Sequence, residues 1–480
     1  MSDGEDDNPI RRTVLAAVRF TTEGEPAAAG ADVHAIGDWT ERLNERYAVV
    51  KLGSRVMILD ERRGSGAPPE FLTVEAFGTW MSNQFVERRK GSGGGVEAVP
   101  VSTLWMRDGR RRQYEGVGFE PFAPGEPDPI EDGTFNLWRG FAVEPDPAGD
   151  PGAFFDHLMD NVCGGSQELY DWLLAFFGHM IQRPRERVAT ALALRGRMGT
   201  GKSIVGEIIG QLFPAHYYLV DDPRYVVGNF NAHLRACLLM QVDEGFWAGD
   251  KQAEARLKSL ISSETTMVEL KGVDPIQVAN RVRLMVTSND DWMVPAGKEE
   301  RRWAVYDVGD GRIRDGSYFA ALKHAMRQPG ALGGLLHQLM HVSLVGVDLR
   351  DVPAARALFE QKTHNLSPFE SWWLERLRDG SQLPGEGVWR DFVPTSRLLR
   401  SYRTEAEAIG ARRKATEIEF GHAFNKAVPR LKRVKRLDID DAPPGGANRV
   451  WGYVFPPLAE ARAAFAEAMR SEIDWDAGEE

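Results

Sequence analysis

Between residues 188 and 308 the apolar positions fall in short, almost unbroken runs: Val188 to Leu194, Ala236 to Val242, Val282 to Thr287 and Trp303 to Val308. Strands that are apolar on both faces belong to parallel sheets covered by helices on each side. The stretch therefore predicts one α/β domain with at least four strands. Just upstream, Phe154 to Gln182 carries Phe155, Leu158, Met159, Val162, Leu169, Trp172, Leu173, Phe176 and Phe177 at roughly helical spacing, with a break at Gly164-Gly165. That pattern predicts two packed helices whose aromatics serve the core.

The remaining pattern divides the chain further. Residues 1–35 are rich in Asp, Glu, Gly and Ala and read as a disordered acidic lead-in. Residues 36–150 give mixed signals, an α+β region with a short helix and a hairpin, Tyr47 to Leu52 and Arg55 to Leu59, turning at Gly53-Ser54. Lys90 to Gly95 reads as a loop. Residues 151–187 form the helical collar and 188–378 the α/β domain. A Gly/Pro linker near Gly380 to Gly387 precedes a small domain, 388–460, in which Ser396 to Ile409 and Thr416 to Val428 look helical and Arg433 to Ile439 and Arg449 to Phe455 look like two strands. Helices followed by a β-wing predict a winged helix-turn-helix. Residues 461–480 read as a helix and an acidic tail.

Composition narrows the class without deciding it. The chain has 480 residues and a net charge of −11, and no apolar stretch reaches the ~20 residues of a membrane span. We therefore expect a cytoplasmic protein with no membrane partner. Cys163 and Cys237 are the two cysteines, too few and too far apart for a disulfide scaffold or a zinc site, and they read as buried thiols. Charge is uneven, however. Arg397, Arg400, Arg403, Arg412, Arg413, Lys414, Lys426, Arg430, Lys432, Arg433, Lys435 and Arg436 outnumber the acids between them, either as a DNA-phosphate footprint or as a basic solvated face.

The candidate chemistry lies at the strand ends. Directly after the first apolar run comes Gly196-Arg197-Met198-Gly199-Thr200-Gly201-Lys202-Ser203, a full match to the P-loop pattern. In such a turn the glycines let backbone N–H groups face a phosphate at the start of a helix. Lys202 would neutralise β and γ phosphates and Ser203 would ligate Mg2+. The second run ends in Asp243-Glu244, where open α/β sheets place their ligands. Asp243 is placed to hold the metal and Glu244 to polarise the attacking water. The third run ends in Asn289, whose amide could sense the γ-phosphate, although a strand ending in Ser-Asn also makes an ordinary turn. Arg301, with Arg302 as second choice, is the candidate arginine finger supplied to a neighbouring subunit; a surface salt-bridged pair is the alternative.

This order of motifs resembles a superfamily 3 helicase. Asp243 to Lys251, Glu269-Leu270-Lys271-Gly272, Thr287-Ser288-Asn289 and Val294-Pro295-Ala296 with Glu300-Arg301-Arg302 are similar to the helicase-like domain of phage and plasmid primase-helicases and self-priming phage polymerases. The resemblance implies an AAA+-like P-loop NTPase core, ATP with Mg2+ bound between the subunits of a homo-hexamer, and 3′ to 5′ movement on single-stranded DNA. It also implies a pore hairpin gripping phosphates. Thr266 to Leu270 and Ile276 to Val278 supply two short strands for that hairpin, with Lys271 and Gly272 in the turn. The small C-terminal domain resembles the tail of poxvirus-type primase-helicases. One departure matters: self-priming relatives carry a polymerase-primase domain with an Asp-x-Asp pair, and Met1 to Gln182 contains none. We therefore expect a motor acting on single-stranded and forked DNA with a separately encoded primase or polymerase. The rival reading is an AAA-type ATPase that loads or remodels protein partners at DNA without unwinding it.

Overall fold

The computed structural model describes residues 33–61, 68–89, 96–222, 224–228, 231–243, 251–269, 275–290, 302–353, 356–410, 415–437, 449–471 and 473–475. The lead-in to residue 32, the Lys90 to Gly95 loop and the acidic end of the tail lie outside them. The chain divides into two units, one of residues 1–120, 127–140 and 267–278, the other of 121–126, 141–266 and 279–480. Among the described residues no helix is long and apolar enough to cross a membrane.

The first unit is α+β. The expected hairpin forms, Tyr47–Leu52 against Arg55–Asp60, and the sheet is completed by Glu70–Thr73 on one side and a short parallel strand, Gln113–Tyr114, on the other. Its core gathers Leu43, Tyr47, Val49, Ile58, Phe77, Met81, Val101 and Trp105. Residues 267–278, which include most of the hairpin Thr265–Val268 and Ile276–Ala279, cluster with this unit. The segment 141–150, grouped by sequence with the N-terminal region, belongs to the second unit, where the amide of Ala142 donates to Leu212 O at 2.8 Å.

The second unit is built on five parallel strands. They are β1 (Ala191–Arg195), β2 (Tyr217–Val220), β3 (Leu239–Asp243), β4 (Arg283–Ser288) and β5 (Trp303–Asp307), in spatial order β2-β3-β4-β1-β5. The four apolar runs supply all but β2, whose Tyr-Tyr-Leu-Val is too short and too exposed to stand out as a pattern. Helix α1 (Lys202–Gly210) follows β1 and lies on the sheet. Its approach depends on Gly206, where a Cβ would come within 1.9 Å of Gln241 Oε1 in the centre of β3. Gln241 is fully buried and satisfied, accepting from the Tyr217 hydroxyl at 2.7 Å and donating to Ser203 O at 3.1 Å. Helix α2 (Gly316–Met326) follows β5.

Before the sheet, the two expected collar helices appear as Gly152–Asp156 continued by a π-helical turn, His157–Val162, and then Gln167–Gln182. Trp172, Phe176, Phe177 and Cys163 are buried there, and Cys237 is buried just before β3. Burial pushes the Cys163 thiol up to about 12, which keeps it protonated and inert.

The C-terminal portion comprises α3 (Pro368–Arg378), β6 (Phe392–Pro394), α4 (Thr395–Ala408), α5 (Glu417–Ala427), β7 (Lys432–Leu437), β8 (Arg449–Val454) and α6 (Leu458–Met469). Capping boxes at Ser367/Glu370 and Thr416/Glu419 start α3 and α5. The strands pair antiparallel in the order β6-β8-β7. One aromatic core joins all of these elements except β7, from Phe359 and Trp372 through Tyr402, Phe420 and Phe424 to Phe465 and Met469. Helix α3, grouped by sequence with the sheet domain, and α6, grouped with the tail, thus pack in the same core as the helices and wing between them. Buried Lys362 ties the two ends together, its ammonium donating to Met469 O at 2.7 Å.

Candidate functional site

Register brings the motifs together. β4 lies between β3 and β1, with Asp243 paired to Thr287 and Ser288 paired to Arg195, so three adjacent strands end level with one another. The last residue of β3, the residue after β4 and the turn after β1 therefore share one edge. In an open parallel sheet this carboxyl edge is where ligands bind.

The turn from Gly196 to Ser203 is held from several sides. Gly199 and Gly201 take left-handed backbone conformations at φ +83° and +92°. A Cβ on Gly201 would also strike Phe319 at 2.5 Å and His157 at 2.8 Å, so glycine is required there twice over. Asn161 on the π-helical turn donates to Thr200 O at 2.7 Å, and the His157 ring sits 3.3 Å from Gly201 O and 3.1 Å from the Tyr318 hydroxyl. Burial lowers the His157 pKa, so the ring is neutral near pH 7. On the outer side the amide of Arg314, itself left-handed at φ +54°, donates to Gly199 O at 2.9 Å. Met198 points outward, 67% exposed, and Arg197 lies 3.6 Å from Asp310.

Lys202 is only 6% exposed and reaches into the turn, donating to Gly196 O at 2.7 Å, Arg197 O at 2.9 Å and Asn289 Oδ1 at 2.9 Å. The Ser203 hydroxyl donates to Asp243 Oδ2 at 3.0 Å, and Thr287 donates to the other oxygen of the same carboxylate. Lys202, Ser203, Asp243 and Asn289 thus form one connected group. They open on a cavity of about 420 Å³ also lined by Met198, Gly199, Gly201, Glu207, Arg314 and Phe319. A hydroxyl beside a carboxylate is a pair of hard oxygen donors, the type that magnesium takes.

Other sequence candidates fall elsewhere. Arg302 is at the opposite end of the sheet: its carbonyl accepts from the amide of Ala191 at the start of β1, and its side chain donates to Ser262 Oγ at 2.9 Å. Roughly 15 Å of strand separates it from the glycine-rich turn of its own chain. Lys432 and Arg433 are exposed on β7. Glu244, Lys271, Gly272, Arg301, Arg412, Arg413 and Lys414 lie outside the described residues. Sequence reasoning missed His157, Asn161, Arg314 and Phe319, which come from the collar and from the segment after β5. No spacing rule joins them to the turn; the π-helical turn that aims His157 and Asn161 has no sequence pattern of its own.

The fold and site define a mixed α/β chain whose parallel sheet opens, at its carboxyl edge, into a cavity built by lysine, serine, aspartate and asparagine. Residues 194–302 match the sequence model of DUF5906, a family of unknown function. Among curated proteins, the DNA primase-polymerase of Nitratiruptor phage NrS-1 is 24% identical over 133 residues, which is 27% of this chain and 18% of that protein. The chain therefore aligns with under a fifth of its relative's length. Two solved apo structures of the NrS-1 C-terminal region superpose with a TM-score of 0.59 at 14% identity, covering 87% of this chain and 98% or 99% of theirs. This chain shares their fold.

Proposed function

We propose that this chain is an ATP-driven DNA helicase of the superfamily 3 type, the motor of a phage or plasmid replication system. One observation carries the reading: Lys202, Ser203, Asp243 and Asn289 meet around a glycine-rich turn at the carboxyl edge of three adjacent strands. That combination suits a nucleoside triphosphate, with backbone N–H groups and Lys202 taking the phosphate charge and Asn289 beside the ammonium. Ser203 and Asp243 would hold Mg2+, which when bound supplies further neutralisation of the phosphates. Glu244, the next residue, is the proposed base for the attacking water. The matches to a phage primase-polymerase and its C-terminal region support a role in phage-type DNA replication.

In the proposed homo-hexameric ring an arginine from the 301–302 pair acts on a neighbouring copy's nucleotide, since Arg302, at the amino edge of the sheet, is too far from the turn of its own chain to serve it. Lys271 and Gly272 in the hairpin turn, and Arg412, Arg413, Lys414, Lys432 and Arg433 in the tail domain, are the proposed DNA contacts. A primase or polymerase completes the proposed system.

The test is ATP turnover with and without single-stranded DNA, paired with unwinding of a forked duplex. Turnover that rises several-fold with DNA, together with strand separation, is the expected result. Robust turnover indifferent to DNA and without unwinding would replace this reading with an ATPase that remodels protein partners.

A further inference from the structure

The wing strands carry an aromatic that the core does not use. Pairing of β7 with β8 sets Arg433 opposite Tyr453, Lys435 opposite Trp451 and Leu437 opposite Arg449, so these six residues share one face. At the inner end of that face Tyr453 is buried and stacks on Phe424, ring centroids 5.5 Å apart. Two residues further out Trp451 is 53% exposed, with the Arg433 guanidinium 5.5 Å from its ring centroid and Lys435 directly across the pair. Arg449 lies on the same strand and face. An indole that leaves the core and lies among cations contributes little to folding, since any β-forming residue would satisfy the ladder.

The opposite face differs. There Arg436 lies over Phe392 at 5.6 Å and is paired with Asp391 at 2.9 Å, while Phe392 itself is half-buried, so ring, cation and carboxylate complete one another. On the Trp451 face Glu417 pairs with Arg433 at 2.9 Å, but among the described residues Lys435 and Arg449 flank the ring without a carboxylate opposite them in the strand pair.

We propose that this face is a stacking platform for single-stranded nucleic acid, with Trp451 taking a base and Lys435, Arg449 and Arg433 taking the phosphates on either side. Charge selects the occupant. The described strands of the wing, Lys432–Leu437 and Arg449–Val454, hold five basic residues and no acid, in a chain of net charge −11. A polyanion with planar bases satisfies both features at once. Stacking needs unpaired bases, so the ligand is a single strand and not a duplex. The inference rests on the DNA reading above for its class of ligand.

The experiment uses the full chain without nucleotide, titrated into a labelled oligothymidine and into an abasic strand of equal length. The wild-type protein should bind the base-bearing strand more tightly. Trp451→Ala should lose about tenfold on that strand, with abasic affinity and basal ATP turnover unchanged, whereas Trp451→Phe keeps most of the preference. Lys435→Ala should weaken both strands alike and lower the salt slope by about one. Loss of the preference in Trp451→Ala supports the platform even if the protein unwinds nothing, so this test stands apart from the helicase assay. Unchanged binding by Trp451→Ala, as a protein partner on this face would give, overturns it; so does an equal loss on both strands.

Discussion

At the carboxyl edge of the parallel sheet, Lys202, Ser203, Asp243 and Asn289 engage one another within a single chain. At the amino edge the charged groups serve the architecture. Buried Arg283 donates to Glu186 O, Arg187 donates to Leu260 O at 3.2 Å, and Arg302 reaches Ser262. One edge gathers a cavity lined by lysine, aspartate and asparagine; the other clamps strand starts to helix ends, with Arg302 away from that cavity. The lesson is that candidates close together in the order of motifs can lie at opposite edges of one sheet. Four of them meet within one chain, and Arg302 lies at the other edge.

The largest effect tests that division. Replacing Arg301 and Arg302 together by Ala should lower ATP hydrolysis by about 10³ or more, measured as phosphate release, if an arginine acts across subunits. Mixing that protein with Lys202→Ala should restore part of the activity, because some mixed interfaces keep both groups. Two proteins that remain inactive on mixing would place both edges' roles within one chain.

A smaller effect sharpens the carboxyl edge. Asn161→Ala leaves Thr200 O without its buried amide partner, at a cost of about 1–3 kcal/mol. Melting temperature should fall, and the KM for ATP should rise about tenfold with kcat less affected. A KM equal to that of the wild-type protein would separate the π-helical turn from nucleotide binding.

The smallest effect belongs to the amino edge. Burial, with Arg283 and Arg183 nearby, holds the His179 pKa down to about 4, and Glu186 at 3.6 Å does not reverse this. The unfolded chain protonates this histidine near 6.5. Its contribution to stability is therefore full above that pH and is lost as pH falls from about 6.5 towards 4. Over this window the melting temperature of His179→Gln should drop less than that of the wild-type protein.

How far the chain could be read in advance follows the same physics. Four strands were legible because burial on both faces leaves unbroken apolar runs, and the turn was legible because its glycines before Lys202 fall at the set positions of the P-loop pattern. β2 was not, since an edge strand of four residues with three partly or fully exposed carries no such constraint. The collar's His157 and Asn161 were invisible because their contacts with Thr200 and Gly201 span about 40 residues and depend on a π-helical turn. Helix α3 was assigned across a Gly/Pro segment that looks like a boundary and α6 was grouped with the tail, yet Trp372, Trp373 and Phe465 share the core of the residues between.

Nucleotide binding itself is the most direct measurement. Calorimetric titration of the protein with a non-hydrolysable ATP analogue, with and without Mg2+, should show metal-enhanced binding that weakens at least a hundredfold in Lys202→Ala and loses its metal enhancement in Asp243→Ala. Binding of equal strength in all three proteins would mean that the triphosphate is not held at the turn between β1 and α1, and would contradict the account.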